Sequence, residues 1–118
     1  MESIYVSYRK GFYRKSAGLR VRAVPEMGFC LVFTPQDPNL YTLNPTSWLI
    51  LEMCDGATPE GLDRAYWKEA NVAYGEELKS GSMFVAPPRP VRSEVRGELR
   101  QGLADLERRR VIEFIRAE

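Results

Sequence analysis

Tyr41-Thr-Leu-Asn-Pro45-Thr-Ser-Trp-Leu-Ile50-Leu-Glu-Met-Cys-Asp55-Gly56 holds the end of a strand, a capped helix and its stop in one continuous stretch. Tyr41 to Leu43 alternate apolar and polar, as a half-buried strand does. Asn44 suits the N-cap, where its side-chain oxygen can accept from a free backbone N–H, and Pro45 suits the first turn, where no N–H is needed. Trp48, Leu49, Ile50, Leu51, Met53 and Cys54 make the helix apolar on most sides, so it belongs in the middle of a small core. Asp55-Gly56 ends it, with Gly56 able to take the left-handed conformation beyond a helix. Thr58-Pro59-Glu60 starts a second helix by the same cap-then-proline logic.

Working outward towards the N-terminus, Leu40 to Leu43 is the last of three strands. Leu19 to Val24 alternate with Leu19, Val21 and Ala23 on one side. Pro25 to Gly28 makes a turn, and Phe29 to Phe33, apolar on both faces, reads as the central strand. Thr34 to Asn39, with Pro35 and Pro38, is a loop. Short connections favour an antiparallel meander. Residues 1–17 form a separate segment mixing Tyr5, Tyr8, Phe12 and Tyr13 with Arg9, Lys10, Arg14 and Lys15. It reads as an arm for phosphates or stacked bases or, on the preferred reading, as a strand or tail whose aromatics cover the sheet.

Towards the C-terminus, the second helix is expected from Pro59 to about Val72. Residues 73–90 read as a long loop: Gly75, Gly81 and Ser80-Gly-Ser82 interrupt any helix, and Ala86-Pro-Pro-Arg-Pro90 favours extended polyproline. Met83, Phe84 and Val85 either dock on the surface or stay disordered. A third helix is expected from Glu94 to Arg110, capped by Ser93, with Val95, Leu99, Leu103 and Leu106 as its apolar stripe. Val111 to Ile115 closes the chain as a short strand or a helical end. The expected fold is α+β and winged-helix-like, a three-stranded antiparallel sheet followed by three helices, in one domain over 18–118 with 73–90 as a long loop, which the resemblance described below implies is an insertion.

Composition narrows the chemistry. A chain of 118 residues with 44% hydrophobic content supports one modest core. A net charge of +1 gives no global attraction to nucleic acid or membrane. There is no histidine, and Cys30 and Cys54 lie in apolar runs, so the usual metal ligand and general base are missing and the cysteines read as buried thiols of a reducing cytosol. No Ser/His/Asp set or glycine-rich phosphate loop is present. The chain therefore reads as a cytoplasmic non-enzyme without cofactor or metal, lacking a membrane span or signal-peptide core.

Two features remain. Leu40, Tyr41, Thr42 and Leu43 form an edge strand without the charge or proline that blocks such edges, which is what strand addition by a peptide needs. It also permits strand exchange between two copies, a homodimer. Arg92, Arg96 and Arg100 recur every fourth residue beside the apolar stripe of the third helix. Like charges at that spacing destabilise a helix by about 0.2–0.5 kcal/mol per pair, so the row points to an acidic ligand along the helix, or to a solvated face whose arginine stems cover apolar surface.

The stretch from Leu43-Asn44 through Asp55-Gly56 to Thr58 closely resembles the signature of PqqD-like proteins, in which a leucine-asparagine pair precedes a helix that ends in aspartate-glycine and a threonine-capped second helix. Leu19 to Arg22 and Cys30 to Phe33 resemble the family's opening strands. The resemblance spans about residues 18–70, with the third helix similar in kind. It implies a RiPP recognition element, a module that binds the leader segment of a ribosomally made precursor peptide as an added strand and presents the peptide to a tailoring enzyme, often a radical SAM enzyme. On this chain it implies a binding edge at Leu40 to Leu43, a groove wall at Val95, Leu99 and Leu103, and a rim at Arg96 and Arg100. Leu99→Asp is then expected to abolish leader binding and leave the fold intact. The competing expectations are a winged-helix DNA-binding protein, opposed by Glu94, Glu98, Asp105 and Glu107 on the same helix, and a subunit that only scaffolds an enzyme complex.

Overall fold

The computed structural model describes residues 8–36, 38–80 and 86–117. Five strands and three helices follow in the order β1 (Gly11–Lys15), β2 (Arg20–Val24), β3 (Phe29–Thr34), β4 (Asn39–Leu43), α1 (Pro45–Met53), α2 (Pro59–Lys79), α3 (Arg92–Arg108) and β5 (Ile112–Arg116). The expected meander is present: β2, β3 and β4 form an antiparallel sheet in that order, with β3 central and β4 at an edge. Register fixes the faces, because side chains alternate along a strand. Cys30, Val32 and Thr34 point into the core, and Phe29, Leu31 and Phe33 point away from it.

The helices lie on one side of this sheet. Asn44 caps α1 by accepting from the Ser47 N–H at 2.8 Å, and Thr58 caps α2 by accepting from Gly61 N–H at 3.1 Å. Ile50 and Leu51 of α1 and Cys54 at its C-cap are fully buried beside Val32, Leu43 and Leu62. Gly56 has φ 76°, the left-handed conformation expected of it. The α3 helix packs on α1 and α2 through Val95, Leu99, Leu103 and Leu106. Where α3 crosses α1, a Cβ on Gly102 would overlap Ile50 Cδ1. Glycine costs about 1 kcal/mol in a helix interior relative to alanine, and this close approach is what requires it.

Several expectations change. Of the two readings of residues 1–17, the preferred one, a strand, is what 11–15 form, but not on the meander. β1 pairs antiparallel with β5, from Gly11 opposite Arg116 to Lys15 opposite Ile112, as a second two-stranded sheet. Of the two readings of Val111 to Ile115, the strand is the one observed. Tyr13 is buried and bridges to the segment after α1: its N–H donates to Ala57 O at 2.8 Å, and its C=O accepts from Gly56 N–H at 2.9 Å. The aspartate-glycine turn is thus also the seat of β1. The sheet that these aromatics cover is their own rather than the meander.

The α2 helix runs to Lys79, not Val72, and so takes up the first part of the expected loop. Gly75 lowers helix propensity without breaking the element. The α3 helix begins at Arg92, with Val91 at the N-cap position and no side-chain cap, so Ser93 is not the cap. The fixed geometry of Pro90 ends the extended segment there. The expectation for Met83, Phe84 and Val85, like that for Tyr5, lies outside the described residues.

The α3 helix ends at Arg108 and the chain reverses at Arg110, which has φ 61°. Val111 N–H donates to Leu106 O and Arg110 N–H to Glu107 O, both at 3.0 Å. This is a left-handed helix stop in which arginine occupies the position glycine usually fills. Ser16 fastens it, its hydroxyl donating to Arg110 O at 2.6 Å and its N–H to Val111 O at 3.0 Å.

The result is thin, 48 × 41 × 17 Å, with a radius of gyration of 15.8 Å. A chain of this length packed to typical compactness has a radius near 13.5 Å by the usual size scaling. No helix among the described residues is long and apolar enough to cross a membrane. Cys30 and Cys54 are free and buried. Burial pushes the Cys54 thiol up to about 12 and raises that of Cys30.

Candidate functional site

The expected site divides into two places. The first is the outer edge of β4. Among the described residues, Leu40 to Leu43 pair with β3 alone, and neither β1 nor the segment 86–90 lies against them as a strand. Leu40 is 66% exposed, while Leu43 at 1% is part of the core. Leu43 therefore offers only backbone to a visiting chain. Leu40 and Thr42 face away from the helices, and Tyr41 faces towards them, where Arg109 stacks its guanidinium 5.2 Å from the ring centre. That stacking brings the C-terminal end of α3 beside β4.

The groove wall is also revised. Val95, Leu99 and Leu103 are 8%, 2% and 5% exposed and belong to the core. An aspartate at Leu99 would place a charge in the core, a change expected to cost several kcal/mol of stability, so Leu99→Asp perturbs the fold as well as any groove. Another face of α3 carries Gln101, Asp105 and Arg108. With Asn44 and Ser47 at the start of α1, these line an open polar channel of about 620 Å³ that begins where β4 ends. Asp105 binds both Arg108 and, at 3.3 Å, Arg109. The missed residues form an i, i+4, i+7 row, but polar residues at that spacing are the ordinary solvent face of an amphipathic helix.

The second place is on another face of α3. Arg96, Leu99, Arg100 and Leu103 do come together, but with Tyr8, Arg9 and Tyr13 of the N-terminal segment and with Asp63 of α2, around a cavity of about 290 Å³. No residue of β4 lines it. Asp63 is 4% exposed and organises one wall: Arg96 Nε donates to it at 2.8 Å, Arg92 lies at 3.5 Å and the Tyr8 hydroxyl donates to it. Burial opposes ionisation of Asp63, but the hydrogen bonds from Tyr8 and Arg96 and the two guanidinium charges outweigh it and hold the carboxyl below its ordinary range. Burial, and then the carboxylate it bonds, raise the Tyr8 hydroxyl. On the opposite wall Arg9 donates to the Tyr13 hydroxyl at 2.6 Å and to Glu107 at 3.0 Å, and lies 4.0 Å from the centre of the Phe114 ring.

The arginine row is therefore mostly internal. Arg92 stacks on Trp67 at 5.1 Å as well as reaching Asp63. Two of its three charges answer a carboxylate on α2, which explains like charges four apart without a ligand. Arg100 alone has no carboxylate partner among the described residues.

Among the described residues no group of three or more histidine, cysteine, aspartate or glutamate side chains could hold a metal ion. Comparison with models of known families, with curated proteins and with solved structures finds no match.

Proposed function

We propose that this chain is a peptide-binding module of the PqqD-like kind, which takes the leader segment of a precursor peptide as a fourth strand beside β4 and presents it, in the cytoplasm, to a tailoring enzyme of the radical SAM or a related class. The observation that carries the reading is the free outer edge of Leu40 to Leu43, uncharged and not covered by any described part of the chain. An added strand gains main-chain hydrogen bonds there, and its inward side chains lie beside Tyr41 and below Arg109, next to the polar channel of Gln101, Asp105 and Arg108. A micromolar complex, about −8 kcal/mol, suits a short augmented strand with few side-chain pockets.

The arginine row supports the DNA-binding alternative less than its sequence implied. Arg92 and Arg96 are committed to Asp63, and the apolar face of α3 is buried, so few cations are left to meet phosphates.

The test is hydrogen exchange of the chain with and without the leader peptide of a short precursor reading frame neighbouring its gene. Added protection at Leu40 to Leu43 is expected. Replacing Leu40 and Thr42 together by glutamate leaves the fold intact, because both side chains are exposed, and is expected to weaken binding at least tenfold. Unchanged affinity in that variant, or protection confined to other elements, refutes strand addition.

A further inference from the structure

We infer that the cavity between the N-terminal segment, α2 and α3 is a binding site for a carboxylate carried on a compact apolar group. Its floor is Leu99 and Leu103 with the ring of Tyr13, all nearly buried. Its rim carries three arginines, Arg9, Arg96 and Arg100, against two carboxylates, Asp63 and Glu107, which leaves one positive charge in excess. The pairing is specific: Asp63 takes Arg96 and Glu107 takes Arg9, so the excess resides on Arg100. Pro59 places the N-terminal end of α2 on the same wall, and the partial positive charge there adds to the attraction. A guanidinium presents a planar fork that matches a carboxylate.

Size selects the ligand class. A volume of about 290 Å³ lies at the low end for ligand pockets. It admits one large apolar side chain with its carboxylate and is too small for a nucleotide. The apolar floor beneath a cationic rim fits a free hydrophobic acid or the C-terminal residue of a peptide, which share this chemistry. The site is separate from the β4 edge: Arg96, Arg100 and Glu107 follow each other at i, i+4 and i+11, while Gln101, Asp105 and Arg108 project from a different face of the same helix. It does not depend on the strand-addition reading.

The probes are N-acetyl-L-phenylalanine and the peptide Ala-Ala-Ala-Phe with a free C-terminus, each beside its C-terminal amide, titrated into the isotopically labelled full chain and followed by NMR. Saturable shifts at Leu99, Arg100 and Leu103 are expected with the acids, at least fivefold weaker with the amides. Arg100→Gln, at an exposed position without an ionic partner among the described residues, is expected to weaken the acids at least fivefold and leave the amides unchanged. Ala104→Phe, which fills the cavity mouth, is expected to remove binding of both. The variant with glutamate at positions 40 and 42 is expected to bind the acids normally. Equal affinity for the two acids assigns the site to a free acid, and a tenfold preference for the peptide assigns it to a peptide C-terminus. No saturable shift with either acid, amides that bind as well as acids, or an Arg100→Gln chain that binds normally overturns the proposal.

Discussion

Alanine at two glycines of one helix, Gly97 and Gly102, is expected to change stability in opposite directions. Both lie inside α3, where glycine is disfavoured by about 1 kcal/mol relative to alanine because more backbone freedom is lost on folding. At Gly97 a new Cβ meets nothing within 4 Å, so Gly97→Ala gains most of that amount. At Gly102 the Cβ overlaps Ile50 Cδ1 and lies 3.8 Å from Cγ1. Ile50 is fully buried, so its terminal methyl has no solvent to turn into. Overpacking of this kind costs about 1–3 kcal/mol, which offsets the propensity gain at its low end and exceeds it over the rest of the range. Gly102→Ala is therefore expected to destabilise by up to about 2 kcal/mol, net of the roughly 1 kcal/mol that alanine contributes to the helix.

The conflict is with a single methyl, which makes the reasoning separable from general fragility. Ile50→Val removes that methyl and alone costs about 0.5–1.5 kcal/mol. In the Gly102→Ala background the same change is expected to cost nothing or to restore stability, a coupling of about 1 kcal/mol between touching residues. Urea unfolding of the four chains measures it. Gly102→Ala as stabilising as Gly97→Ala, or strict additivity with Ile50→Val, refutes the account of how α3 sits on α1.

Other expectations follow from named contacts. Asp63→Asn is expected to destabilise by about 2–3 kcal/mol, less than for a fully buried ion pair because Arg92 is partly open to solvent. Because the folded-state value of Asp63 is depressed, its contribution is present above the ordinary carboxylate pKa and lost as pH falls through the lower folded value. Stability measured against pH should therefore lose part of its acid limb in the Asn variant, and an unchanged limb contradicts the network. Arg110→Gly relieves a left-handed residue and is expected to raise stability by about 0.5–1 kcal/mol in the same unfolding assay. Cys54, its thiol pushed up to about 12 by burial, is expected to react with a thiol reagent at pH 8 only as fast as the domain opens, so labelling should accelerate in urea in step with unfolding.

The middle of the chain was legible because its signals are local. Asn44, Pro45, Thr58 and Pro59 mark helix starts through their own backbone and side-chain chemistry, and the alternation of β2 and β3 marks strands without reference to anything distant. The ends were not. β1 is a strand because β5, nearly a hundred residues away, offers it a partner, and no pattern within Gly11 to Lys15 announces that. Arg92 and Arg96 illustrate the same limit for the site. Their spacing suggested a ligand, while the carboxylate that answers them, Asp63, sits on another helix and resembled a surface residue. Leu99 and Leu103 were recognised as apolar, but whether an apolar stripe lines a groove or a core depends on what packs across it.

The pairing of β1 with β5 has a consequence for how this unit can be combined with others. Ala117 N–H donates to Lys10 O at 3.1 Å, so the outer ends of β1 and β5 lie side by side, about one interstrand spacing apart. A larger protein could accommodate the whole unit within a single surface turn, with its own backbone barely displaced. Grafting it there should leave the β4 edge, built from the interior of the chain, as open as it is now.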